Sequence, residues 1–287
     1  MDNFTNILVA LDISNNMNDI LNRTFLVAKR HNSKITIVHA IDTDFFGSFI
    51  EDAKIEKLKR NAIGNIKKEL ENVNTQGLDY TIEIQKARPS AFIIDVAKEK
   101  NACMIVIGAN EKKNFTTTIL GSTAHNIAQK SYLPLLIVKN KPHQSYKNIV
   151  AFTDLSEVSK KGLFFSKKFF YQQNIKCVYA YKKMSEIAFR YRDEYENKEE
   201  IEQEIQEHEQ KKFDKFVKKN NIENAKLIED RVGVTNALSN FINQNKQDLA
   251  ILSSKGINNI GSLLYGSTTS SLMQILKCDI LVYIPKS

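Results

Sequence analysis

The chain carries one pattern twice. Asn6-Ile7-Leu8-Val9-Ala10-Leu11-Asp12-Ile13-Ser14 reads against Asn148-Ile149-Val150-Ala151-Phe152-Thr153-Asp154-Leu155-Ser156, an offset of 142 residues. Leu120-Gly121-Ser122-Thr123 reads against Tyr265-Gly266-Ser267-Thr268, an offset of 145. Two anchors at nearly constant offset indicate a duplicated domain rather than a short repeat. In a chain of 287 residues, each copy is long enough to bury its own core. The expected domains are residues 1–142 and 143–287. Lys141-Pro142-His143-Gln144-Ser145-Tyr146 is polar, holds a proline and reads as the linker.

Within the first copy, apolar runs at Ile7–Leu11, Ile35–Ala40, Tyr80–Gln85, Met104–Gly108 and Leu135–Val138 alternate with amphipathic segments near 17–31, 51–74, 90–100 and 121–131. The runs are rich in Ile, Val and Leu and mostly lack strict alternation. That is the pattern of strands buried on both faces of a parallel sheet. Pro89 suits the start of the third helix, where its missing N–H is not needed. The second copy repeats the order at Ile149–Phe152, Cys177–Tyr181, Lys226–Glu229, Leu249–Ser253 and Ile280–Ile284. The order βαβαβαβαβ predicts two tandem doubly wound α/β domains, Rossmann-like, each with a five-stranded parallel sheet.

The second copy differs in one helix. Glu186–Glu209 holds ten acidic and three basic residues, and Lys211, Lys212, Lys215, Lys218 and Lys219 follow. Acid early and base late suits the dipole of one long helix. Ile201, Ile205, Phe213, Phe216 and Val217 fall at helical spacing and form its expected buried stripe. A solvated helix covering the sheet is favoured over a partner-binding projection.

The net charge of +8 raises the question of a nucleic-acid partner. The charge is spread evenly. Residues 1–142 hold 19 basic and 15 acidic side chains, and residues 143–287 hold 22 and 18. There is no basic arm and no basic motif with interleaved aromatics, so a mildly basic solvated surface and no nucleic-acid partner are expected. No run of 18 apolar residues occurs, so neither a transmembrane helix nor a membrane partner is expected. The polar stretch Met1–Asn6 leads directly into an apolar run, unlike a signal peptide. Cys103, Cys177 and Cys278 are far apart and odd in number, which fits a reducing cytoplasm.

In a doubly wound sheet, ligands bind outside the carboxyl ends of the strands. Three features of each copy converge there. One is the acidic residue after the first strand, Asp12 or Asp154. Another is the loop after the fourth strand. The third is the Gly-Ser-Thr that opens the last helix. A helix N-terminus offers unpaired N–H groups and the positive dipole end, and a glycine beside it lets a phosphate approach. Alone, Ser122 or Ser267 reads as an N-cap. The upstream loop adds to this. Ser253-Ser254-Lys255-Gly256 is followed by nine residues and then Gly266-Ser267. Gly108-Ala109-Asn110-Glu111 is followed by nine residues and then Gly121-Ser122.

This arrangement resembles the universal stress protein family, whose nucleotide-binding members carry Gly-x2-Gly-x9-Gly-(Ser/Thr) after strand four. The resemblance covers both halves. It includes Thr153-Asp154-Leu155-Ser156 after the first strand of copy two and His39-Ala40-Ile41-Asp42 at the end of the second strand of copy one. It implies an adenine nucleotide alpha hydrolase-like fold. It also implies halves paired through their last strands, at Leu133–Lys139 and Asp279–Pro285, as an internal pseudo-dimer. A homodimer of the whole chain stays open beside it.

The resemblance further implies a stress-response regulatory module that binds ATP or another adenine nucleotide in the second copy, with Mg accompanying ATP. Carried over residue by residue, Ser253, Gly256, Gly266, Ser267 and Thr268 meet the phosphates. Asp154 and the backbone of Tyr179 and Ala180 sit by the nucleoside. Ser253 departs from the family's first glycine, and Lys255 either adds positive charge or is simply exposed. In copy one, Glu111 replaces the second glycine. A carboxylate beside phosphate costs about 2–4 kcal/mol per like-charge pair, or roughly tenfold or more in affinity. Copy one therefore reads as degenerate, with Gly121-Ser122 as a structural cap.

Other signals carry less. Gly256-x4-Gly261-Ser262 lacks the lysine of a phosphate-binding P-loop. No Gly-x-Ser-x-Gly or Gly-x-Gly-x-x-Gly occurs. His31, His39, His125, His143 and His208 show no ligand spacing, so no protein-held metal is expected, and His39 suits a hydrogen bond at a strand end. No carboxylate pair is spaced for acid–base work. The chain is therefore not expected to be an enzyme, and neither ATPase activity nor autophosphorylation is supported. The alternative reading is a nucleotide-free scaffold of the same fold that meets protein partners.

Overall fold

The computed structural model describes residues 4–13, 16–42, 52–109, 121–184, 197–254 and 267–285. In the first copy, strands β1 (Asn6–Ala10), β2 (Lys34–Ile41), β3 (Tyr80–Lys86), β4 (Met104–Gly108) and β5 (Leu135–Val138) alternate with helices α1 (Met17–Ala28), α2 (Asp52–Leu70), α3 (Pro89–Glu99) and α4 (Ser122–Lys130). The second copy runs β6 (Ile149–Thr153), α5 (Glu157–Phe169), β7 (Ile175–Lys182), α6 (Lys198–Lys219), β8 (Ala225–Asp230), α7 (Val234–Gln244), β9 (Leu249–Ser253), α8 (Ser267–Ile275) and β10 (Asp279–Tyr283). Pro89 opens α3 as expected.

All ten strands join one sheet in the order β3-β2-β1-β4-β5-β10-β9-β6-β7-β8. Read outward from the middle, the two halves have the same order. Neighbours within a half are parallel, as in Ile7 opposite Ile35 and Ile149 opposite Ile175. The two last strands meet antiparallel, with Ile280 opposite Ile137 and Val282 opposite Leu135. The halves are therefore paired through their last strands. An apolar strand left at an edge invites another strand, and here each half supplies what the other lacks.

The burial pattern follows from this order. β1, β5 and β6 are buried at every position. The outer strands β3 and β8 are half-buried and exposed by turns. One face of the sheet packs Leu8, Ile105, Ile137, Ile280 and Leu252 with Phe92, Ile127, Phe241 and Leu272 in a single apolar cluster. The other packs Val9, Ile37, Leu136, Leu281 and Ile251 with Phe25, Ile66, Phe169 and Phe216. Both clusters run through both copies. Side chains of this kind contribute about 1.5–3 kcal/mol each when fully buried, so parting the halves at β5–β10 costs much of the core.

The expected long helix is present as α6, and residues 186–196 of that expectation lie outside the described residues. Phe213 and Phe216 are buried on it, while Ile201, Ile205 and Val217 are half-buried.

The expected linker ends on a residue that departs from its polar composition. Tyr146 is 2% exposed. Its ring lies under the Arg23 guanidinium at 3.9 Å and packs edge-on against Phe170. Its hydroxyl donates to Asp279 Oδ2 at 2.6 Å, and Arg23 Nε is 3.1 Å from the same oxygen. Asp279, at the start of β10, is 1% exposed. Tyr146 is thus a buried anchor between the copies.

Candidate functional site

At the carboxyl ends of β1, β2, β4 and β5 the first copy has a cavity of about 530 Å³. Its lining includes Asp12 after β1, His39 and Asp42 at the end of β2, Gly108 and Ala109 at β4, and Lys139 and Lys141 after β5. Gly121 and Thr123 come from the start of α4. His39 Nδ1 is 2.8 Å from the Leu11 carbonyl, which ties β2 to the turn after β1. Gly121 is the N-cap of α4, is extended at φ −61° and ψ 155°, and no side chain among the described residues caps that end. Ser122 is thus the first helical residue and not the cap. Glu111 lies outside the described residues.

In the second copy the turn after β6 is set by hydroxyl groups. Thr153 Oγ1 accepts from the Leu155 N–H at 2.9 Å and lies 2.8 Å from Ser159 Oγ. Ser156 is the N-cap of α5, accepting from the Ser159 N–H. Asp154 Oδ1 accepts from the Ser156 N–H at 3.1 Å. Leu155 takes a φ of +64°, a backbone shape that is costly for a large side chain. The hydroxyl bonds hold it there, and strain of this kind collects at ligand sites. Partial burial disfavours the Asp154 carboxylate, but hydrogen bonds from Ser156 and Ser159 outweigh it and hold the acid below its ordinary value. Asp154 is thus a fixed anion at the mouth of β6.

The register sets Tyr179 opposite Thr153, so the Tyr179–Ala180 backbone lies beside the Asp154 turn. The Tyr179 side chain faces the long helix. Its hydroxyl donates to Glu209 Oε2 at 2.5 Å, and its ring is 5.8 Å from that of Phe213. Burial, then Glu209, pushes the phenol well above its ordinary value, so it stays protonated. Ala180 is buried on the opposite face. Ser253 ends β9, and its carbonyl accepts from Thr269 Oγ1 at 3.4 Å, which brings the first turn of α8 to the end of β9. Ser267 is exposed and Thr268 half-buried on that turn. Asp154, Tyr179, Ala180, Ser253, Ser267 and Thr268 are thus placed at one end of the sheet, whereas Lys255, Gly256 and Gly266 lie outside the described residues.

Residues 3–139 and again 145–283 match the family model for the universal stress protein family. The chain belongs to the universal stress protein family. It is a tandem member, since the match occurs twice. It is 33% identical over 88 residues to a universal stress protein of Methanocaldococcus jannaschii, covering 31% of this chain and 52% of that protein. It therefore spans about half the length of that relative. It is 29% identical over 163 residues to a putative universal stress protein of Staphylococcus aureus strain USA300, covering 55% of this chain and 98% of that one. In fold it is similar to a universal stress protein from Archaeoglobus fulgidus DSM 4304. The TM-score is 0.65 at 15% identity, over 98% of each chain.

For a universal stress protein the β5 end is where sequence reasoning saw least. Lys139, Asn140 and Lys141 line the first-copy cavity, yet they read as the close of a strand and the start of a linker. The one signal was a lysine directly after Leu135-Leu136-Ile137-Val138. Among the described residues no group of three or more His, Cys, Asp or Glu is placed to hold a metal, and no helix is long and apolar enough to cross a membrane.

Proposed function

We propose that this universal stress protein is a cytoplasmic regulatory module that binds an adenine nucleotide, with residues 1–142 and 143–287 acting as two domains of an internal pseudo-dimer. The observation that carries the reading is the convergence, in the second copy, of the Asp154 turn, the end of β7 and the first turn of α8. ATP is the expected ligand, and Mg arrives with its phosphates. Asp154 and the Tyr179–Ala180 backbone hold the nucleoside. Ser267, Thr268 and the loop through Gly256 and Gly266 hold the phosphates, and Ser253 closes the end of β9 beneath them. A helix N-terminus favours anions without any catalytic group, so the site suits sensing rather than turnover.

The first-copy cavity favours a second occupant. Its volume is within the range of small-molecule sites, and it presents Asp12, the end of β2 and the start of α4 in the same relation. Mass spectrometry of small molecules released from the freshly purified full chain tests the reading. An adenine nucleotide in near-stoichiometric amount supports it. A protein that carries none, and takes none up when incubated with ATP and magnesium, is the nucleotide-free scaffold instead.

A further inference from the structure

The first-copy cavity sorts its charges by strand. Asp12 follows β1 and Asp42 follows β2, with Asp19 nearby on α1, while Lys139 and Lys141 follow β5. One strand, β4, separates β1 from β5. Two inter-strand steps, roughly 9–10 Å, therefore divide the acidic rim from the basic one. Ala40, Ile93, Ile107 and Ala124 give the cavity an apolar lining as well. A ligand with hydroxyls at one end, a flat body and a phosphate at the other matches this order.

Lys139 is held by the other half of the molecule. Its ammonium donates to the carbonyls of Met273 and Leu276, both at 2.7 Å. Its backbone N–H and that of Asn140 donate to Asp279 Oδ1 at 2.8 and 3.0 Å. Asn140 Nδ2 donates to the Lys277 carbonyl at 2.6 Å. Every one of these acceptors belongs to the second copy. An ammonium has three N–H donors, and the two carbonyls use two. At the matching place in the second copy stands Ile284, buried and apolar, so this lysine is a feature of the first copy alone.

We propose that Lys139 and Lys141 take over phosphate recognition in the first-copy cavity, with the second copy holding Lys139 in position. The inference rests on the nucleotide reading and extends it to the copy whose loop carries Glu111. The phosphate is met by two ammonium groups on the β5 side, from the seam between the copies.

The test is calorimetric titration of ATP with magnesium into the full chain carrying Gly266→Asp, which disables the second-copy phosphate loop. One site is expected to remain. In that background Lys141→Met weakens binding about tenfold, the scale of one charge-assisted contact, and lowers its salt dependence. Lys139→Met weakens it similarly and Lys139→Arg restores part of it. Lys139→Met also loses contacts to α8, so Lys141→Met, at an exposed position, separates ligand binding from folding. Unchanged affinity in both methionine variants overturns the proposal. Loss of all binding in Gly266→Asp alone overturns it too, while leaving the second-copy reading intact. A wild-type chain that binds no ATP removes both.

Discussion

Ser253 fills the space that Gly162 leaves on α5. A Cβ at position 162 would run into Ser253 Oγ, and Tyr283 Cβ lies 3.2 Å from the same point. The first copy makes this contact with the sizes exchanged. There Ile20 stands on α1 and Gly108 ends β4, and a Cβ at Gly108 would lie 2.5 Å from Ile20 Cδ1. In each pair the glycine leaves the room that the larger residue across from it takes up. The serine that replaces the family's first glycine is thus accommodated by a glycine across from it.

Gly162→Ile alone is expected to destabilise the protein by about 1–3 kcal/mol, the usual cost of overpacking. Adding Ser253→Gly rebuilds the first-copy pair and recovers part of that loss, Tyr283 accounting for the remainder. Urea denaturation of the two single variants and the double gives the coupling energy. Strictly additive changes would show that the two side chains do not share this space.

Asp279 carries the seam. It forms an ion pair with Arg23 and accepts from the Tyr146 hydroxyl and the N–H groups of Lys139 and Asn140. Removing one partner of a buried ion pair leaves the other charge uncompensated, at a cost of about 3–5 kcal/mol. Asp279→Ala is expected to lose that much in denaturant unfolding. A change below about 0.5 kcal/mol, typical of a surface site, would mean the cluster does not hold the copies together.

Burial pushes the Cys177 and Cys278 thiols up to about 12. The thiolate is the reactive form, so both are expected to stay unmodified by a thiol reagent at pH 8 in the native protein and to react on unfolding. Rapid native labelling at either residue, located by mass spectrometry, would contradict the packing of β7 and of the turn before β10.

Burial lowers Lys139 from its ordinary value near 10.5 to about 8, with Cys278 and Asp279 pulling it partly back. Between those values the unfolded chain binds a proton that the folded chain does not. Stability therefore gains from this group as pH rises. The gain is complete above about 10.5 and is lost as pH falls through about 8. Melting measured from pH 7 to 10 is expected to show a smaller rise in Lys139→Met than in the wild type. Parallel curves would place the proton elsewhere.

Much of this fold was legible because duplication and apolar runs are backbone-level signals. Ile7–Leu11 and Ile149–Phe152 announce the central strands, and the family resemblance, carried onto the apolar ends Leu133–Lys139 and Asp279–Pro285, implied the pairing of β5 with β10. The positions of Asp154 at a strand end and Ser267 at a helix start were legible too. Tyr146 was not, because a polar linker composition says nothing of one ring captured by Arg23 and Asp279. Lys139 was missed for a related reason. Its role depends on carbonyls of Met273 and Leu276, which lie more than 130 residues away. The Gly162–Ser253 exchange is a contact between helix and strand, visible only once both copies are superposed in space.

Nucleotide binding itself is tested most directly by titrating ATP with magnesium into the purified wild-type chain in a calorimeter. Saturable binding is expected, with the second-copy share removed by Gly266→Asp. Absence of any binding up to millimolar ATP in a folded wild-type protein would contradict it.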